Sequence, residues 1–264
     1  MSVRPSGKCR LCLQERVLCD SHLLPKATYR LIRMTSGRSP VVATKGLIRA
    51  TDRQIHQYLL CESCEERFSD SERYALSQCC RGRRFALQEL IAPLTPLQPD
   101  PEADLVPYAT RDVVGLDIPC LVYFASSLLW RASVAVWRMA GDLLAADLGS
   151  KYNEMFRQYL CRETPFPADA AVWISVMKAG NPPFICIGPH LHAKTAYHQF
   201  EMQVFGIRWT IFVGGRIDPL IHRMCSLRSS ERFVYLSNSP FDLATKGLGH
   251  MMETAYVADN LRDR

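Results

Sequence analysis

Cys9-Arg10-Leu11-Cys12 and Cys61-Glu62-Ser63-Cys64 are two CxxC pairs set far apart in the chain. Two residues between cysteines let both thiolates grip one ion while backbone amides of the turn stabilise the sulfur charge. A second such knuckle completes a tetrahedral four-cysteine site, closed to water and therefore structural, for which Zn2+ is the expected ion. The gap exceeds the common spacing of about 15–20 residues, so an insert lies between the knuckles. A redox role would need a thioredoxin-like βαβ pattern, and none follows either pair. Two unrelated buried cysteine pairs are the competing reading, and the doubling of the motif weighs against it.

The insert carries Cys19-Asp20-Ser21-His22-Leu23-Leu24-Pro25-Lys26, and His56-Gln57-Tyr58-Leu59-Leu60 leads into the second knuckle. This arrangement resembles the HNH, or ββα-metal, endonuclease family, over roughly residues 9–75 only. The resemblance implies a zinc-braced hairpin and helix that hold one catalytic divalent cation, Mg2+ or Mn2+. Carried over, it makes His22 the general base that takes a proton from the attacking water, a fit task for a neutral imidazole near pH 7. His56 falls where the family has an orienting Asn, and no Asn occurs before Asn153. Glu65 falls where the family has a metal-binding His, and a carboxylate there suits Mg2+ or Mn2+. The ligand position just before the base is Ser21, with Asp20 next to it. One step along a strand changes face unless a bulge intervenes. Asp20 and Glu65 are thus the expected cation ligands, with Glu66 and Glu72 in reserve.

Downstream of Cys64, Phe68, Tyr74 and Leu76 fit the apolar side of a helix. Arg67, Arg81, Arg83 and Arg84 extend it as a basic stretch, and Lys26, Arg30 and Arg33 suit a helix after Pro25. Such side chains make phosphate contacts without sequence information. The charge agrees with this: residues 1–90 hold 16 Lys and Arg against 9 Asp and Glu, and the rest hold 16 against 17. A basic end beside a neutral body points to a polyanionic partner, nucleic acid and DNA foremost. A solvated basic surface is the alternative.

Hydrophobic residues at 48% and charged residues at 22% describe a globular chain. Its eleven cysteines form no disulfide framework, which favours a reducing cytoplasm. The start lacks an apolar stretch before the first knuckle, so no secretory signal is expected. Ile118 to Met139 is apolar but broken by Arg131 and Arg138, which suits a buried helix rather than a membrane span.

Three regions separate. Residues 1–90 form the zinc-braced module. Residues 91–112, with five prolines in Ile91 to Tyr108, read as a linker or extended strap. Residues 113–264 read as helices packed on an antiparallel sheet, making the whole chain α+β. In that body helices are expected over Leu121–Leu144, Lys151–Cys161, Asp218–Cys225 and Phe241–Leu261. Strands are expected over Ala171–Met177 and Pro183–Ile187, and across Phe200–Gly214 with a turn at Gly206. Trp130, Trp137, Trp173 and Trp209 suit packing. His190, His192 and His198 could bind a metal, but no carboxylate or cysteine stands between them in the sequence. No GxGxxG, P-loop or GxSxG motif occurs. The body could serve oligomerisation or a protein partner. Two functions remain open: a metal-dependent endonuclease using His22, or a zinc-ribbon module that binds nucleic acid or protein through a site that no longer cuts.

Overall fold

The computed structural model describes residues 4–36, 41–43, 47–51, 53–79, 85–97, 103–139, 142–144, 146–177, 186–237 and 256–257. The N-terminal elements are β1 (Ser6–Lys8), β2 (Glu15–His22), α1 (Lys26–Ser36), β3 (Val41–Ala43), β4 (Leu47–Ala50), β5 (His56–Cys61) and α2 (Glu62–Cys79). Strands β1, β2 and β5 form an antiparallel sheet with β2 in the centre. Helix α2 leaves directly from the end of β5 and buries Phe68, Ala75, Leu76 and Cys79.

The remaining chain adds α3 (Ala86–Ile91), β6 (Leu105–Tyr108), α4 (Ile118–Val134), β7 (Trp137–Met139), β8 (Asp142–Leu144), α5 (Gly149–Leu160), β9 (Ala170–Met177), β10 (Cys186–Lys194), β11 (His198–Val204), β12 (Ile207–Val213), α6 (Pro219–Arg223), β13 (Val234–Ser237) and β14 (Tyr256–Val257). Six strands form one sheet in the order β10-β11-β12-β9-β13-β6. The alternation across Phe200–Gly214 resolves into a hairpin, with Phe205 in the left-handed conformation at its turn (φ 53°). The sheet is mixed rather than wholly antiparallel, because β13 returns through α6 and runs parallel to β9. Part of the proline-rich stretch becomes β6 at the sheet edge, where the missing amide of Pro107 is tolerated.

Helix α4 is the centre of the core. Asp117 caps it by accepting from the Cys120 amide at 2.9 Å, and Pro119 sits in its first turn. It ends at Val134, ten residues before the expected Leu144. The indole of Trp137 donates to the Arg131 carbonyl at 2.9 Å, satisfying an orphan carbonyl of the last turn, and the chain turns into the β7–β8 hairpin. Trp130, Trp137 and Trp209 are fully buried, and Trp173 is half-buried. One continuous apolar core runs from Cys9 and Leu60 through α2 and α4 to Trp209 and Val234. The terminal helix expected over Phe241–Leu261 falls largely outside the described residues. Within them Tyr256–Val257 is a strand parallel to Leu47–Ile48, a correction that suits an aromatic followed by a β-branched residue.

Candidate functional site

The first knuckle is the turn between β1 and β2. Cys9 donates its amide to Gln14 at 2.9 Å, and Leu13, with φ 62°, donates to the Cys9 carbonyl at 2.9 Å. The second knuckle spans the end of β5 and the first turn of α2, so it joins strand to helix. The sulfurs of Cys9, Cys12, Cys61 and Cys64 lie within 4.8 Å of one another. Cys12 and Cys61 are 3.9 Å apart, against a sulfur–sulfur edge of roughly 3.8 Å in a tetrahedron with Zn–S near 2.3 Å. The Cys61 amide donates to the Cys9 sulfur at 3.3 Å. The Cys64 thiol also donates to Cys9, and together with backbone amides it lowers the Cys9 thiol to about 4 against the opposing effect of burial. Donating that proton, and burial, push Cys64 up. This is a closed, amide-supported sulfur cage fit for a metal ion such as zinc, and it would hold four thiolates when loaded. The body braces it: Arg157 donates to the Leu11 carbonyl at 3.0 Å.

The same sheet presents the histidines. Between Cys19 and Asp20 the β2–β5 register slips, since Cys19 faces Leu60 while Asp20 faces Tyr58, leaving Leu59 as the extra residue. Beyond this bulge His22 lies opposite His56, with ring centroids 5.6 Å apart. His56 Nδ1 meets Asp20 Oδ1 at 2.6 Å. Because a carboxylate only accepts, Nδ1 carries the proton and His56 Nε2 is left to act. Ser21 faces inward, buried, and accepts from the Leu60 amide at 3.1 Å. His22 is half-buried. Burial holds its imidazole below the usual value, opposed by the hydrogen bond it donates to Gln54 and by Asp20, and assisted by His56 and Lys26. Its carbonyl accepts from the buried Arg131 at 3.1 Å.

The amide that touches His22 comes from Gln54, whereas His56 is bound to Asp20. Burial chiefly raises the Cys19 thiol, and the charge of Glu65 adds to it. One Glu65 oxygen is shut from solvent with no hydrogen bond among the described residues. Neither Asp20 nor Glu65 belongs to a cluster of three or more His, Cys, Asp or Glu ligand atoms among the described residues. Glu72, a reserve ligand, pairs with Arg131 at 2.7 Å instead.

Next to His22, helix α1 sets Lys26, Arg30 and Arg33 at helical spacing on one side. With Ala27, Tyr29, Met34 and Gln54 they line a basin of about 460 Å³. Lys26 and Gln54 thus belong both to the basin and to the surroundings of His22. Arg67 donates to the Cys161 carbonyl at 2.6 Å, which ties α2 to α5. Arg81, Arg83 and Arg84 lie outside the described residues. No helix among the described residues is long and apolar enough to cross a membrane.

Sequence reasoning missed Gln54, Arg131 and the pairing of His190 with Glu201. An amide two residues before His56 was visible for the first; Arg131 reaches His22 from far along the chain, and His190 meets Glu201 through the register of two consecutive strands. Comparison with family models, characterised proteins and solved structures finds no match.

Proposed function

We propose that the chain hydrolyses phosphodiester bonds in nucleic acid at the His22–His56 pair. The observation that carries this reading is the adjacency of two imidazoles and the cationic basin of α1. Lys26, Arg30 and Arg33 attract the phosphate backbone and set it beside the rings. His22, kept neutral by burial, takes the proton of the attacking hydroxyl or water. His56, oriented by Asp20, acts in its doubly protonated form, in which Nδ1 donates to Asp20 and Nε2 gives its proton to the leaving oxygen. Zinc at the cysteine cage fixes the knuckles from which β2 and α2 start and at which β5 ends. Mg2+ or Mn2+, which the HNH resemblance implies, finds no cluster of three or more ligand atoms at Asp20 or Glu65 among the described residues.

A module that binds nucleic acid without cutting is the alternative. It draws on the same basic helix and on the absence of a cluster of three or more ligand atoms at Asp20 or Glu65 among the described residues. The test compares wild type with His22→Ala, matched for zinc content, on plasmid DNA, single-stranded DNA and RNA, with and without added Mg2+ or Mn2+. Cleavage by wild type alone supports the hydrolase. Equal salt-sensitive binding by both proteins, with no cleavage of any substrate, supports the binding module.

A further inference from the structure

We propose that His190, His192 and Glu201 form a second metal site, for a transition-metal ion of the Zn2+ type, on the six-stranded sheet and away from the cysteine cage. In the sequence the two histidines stand without a carboxylate. The β10–β11 pairing supplies one, because His190 lies directly opposite Glu201. Between Leu191 and Ala193 the register shifts, leaving His192 as an extra residue in β10. Bulges of this kind re-aim a side chain, and here the ligand atoms of all three residues come within 4.8 Å of one another. His198 is excluded by the alternation of β11, which sets it on the side of Phe200, and the two rings meet 6.0 Å apart.

The groups around the three residues hold them as ligands. His190 Nδ1 lies 3.1 Å from the Gly188 carbonyl, so Nδ1 carries the proton and Nε2 keeps its lone pair for an ion. Gln199 donates to Glu201 Oε1 at 3.0 Å, which leaves Oε2 as the oxygen turned to His192. His192 Nδ1 and Glu201 Oε2 stand 3.7 Å apart, too far for a direct hydrogen bond. The separation is close to the roughly 3.4 Å between two ligands of a tetrahedral ion at about 2.1 Å each. Orienting bonds to a ligating imidazole and carboxylate are the ordinary support of a metal site. Two imidazoles and a carboxylate suit Zn2+ or Co2+ and leave a coordination position open. Both histidines are exposed, so that position faces solvent and can take water, an anion or a side chain from another molecule.

The experiment is equilibrium dialysis of the zinc-loaded chain against Zn2+, with metal content read per chain. Wild type is expected to hold two ions, one of them at the cysteines. His192→Ala and Glu201→Gln are each expected to hold one, with unchanged thermal unfolding before the second ion is added. Gln199→Ala should keep the second ion about tenfold more weakly. Co2+ added to the zinc-loaded chain should give weak visible bands without thiolate charge transfer. One ion per wild-type chain, or a second ion kept by both His192→Ala and Glu201→Gln, overturns the proposal.

Discussion

The guanidinium of Arg131, fully buried in α4, donates to the backbone carbonyl of His22 at 3.1 Å. Its Nη2 holds Glu72 at 2.7 Å, and its Cζ lies 4.7 Å from the Phe68 ring centroid. The end of β2 is thereby tied to α2 and α4 at once, so the position of His22 depends on a residue from the distant body. Removing one partner of such a buried pair leaves the other charge without compensation. Arg131→Ala is expected to lower stability by about 3–5 kcal/mol, read by urea unfolding. Replacing Arg131 and Glu72 together by apolar residues of similar size should recover much of that loss.

Loss of metal from the cysteine cage should loosen the region between the knuckles first. Cys64→Ser is expected to lower zinc content below one per chain and to raise amide exchange in β1, β2 and the start of α2. Because zinc takes thiolates, binding releases protons. Cys12, pushed up chiefly by burial, and Cys64 must both give theirs up. Zinc affinity should therefore fall as pH falls, which metal-competition titrations at several pH values will measure.

The half-buried His22 makes a signed pH prediction. Its folded value lies below the ordinary imidazole value of about 6.5, mainly through burial. The neutral base thus persists at lower pH, and the acid limb of the proposed cleavage should lie below about pH 6.5. For stability, the unfolded chain takes up this proton first. The His22 contribution is present above about pH 6.5 and is lost as pH falls through the folded value. A limb at or above that pH, unchanged in His22→Ala, would remove His22 from the role of base.

Asp20 orients His56 without touching the proposed reacting atoms. Asp20→Asn is expected to lower kcat by about 10²-fold or more, with KM little changed and the zinc content intact. Equal losses in binding and turnover would point instead to a distortion of the β2–β5 bulge.

The α1 cations should govern affinity. Lys26→Ala, Arg30→Ala and Arg33→Ala are each expected to weaken binding about equally across sequences. Each should reduce the slope of log affinity against log salt by roughly 0.7–0.9. Fluorescence anisotropy over a range of salt concentrations will read this.

The sequence by itself determined the parts that spacing and periodicity encode. Two CxxC knuckles specify a sulfur cage because ligand geometry is local, and the four sulfurs do converge. Alternation specified β9 and the β11–β12 hairpin, and the run from Ile118 specified α4, though not its end. Only the tertiary structure decided what crosses between segments. The β2–β5 bulge places Asp20 against His56, and the Trp137 indole helps close α4 at Val134. Glu65 lies toward Cys19, Arg131 fastens His22, and Glu201 meets His190 across two strands. Such pairings follow from strand register, which a single-residue slip resets, and from which helix packs on which face. Each depends on the whole core settling in one arrangement, so neither neighbour in the sequence carries its signal.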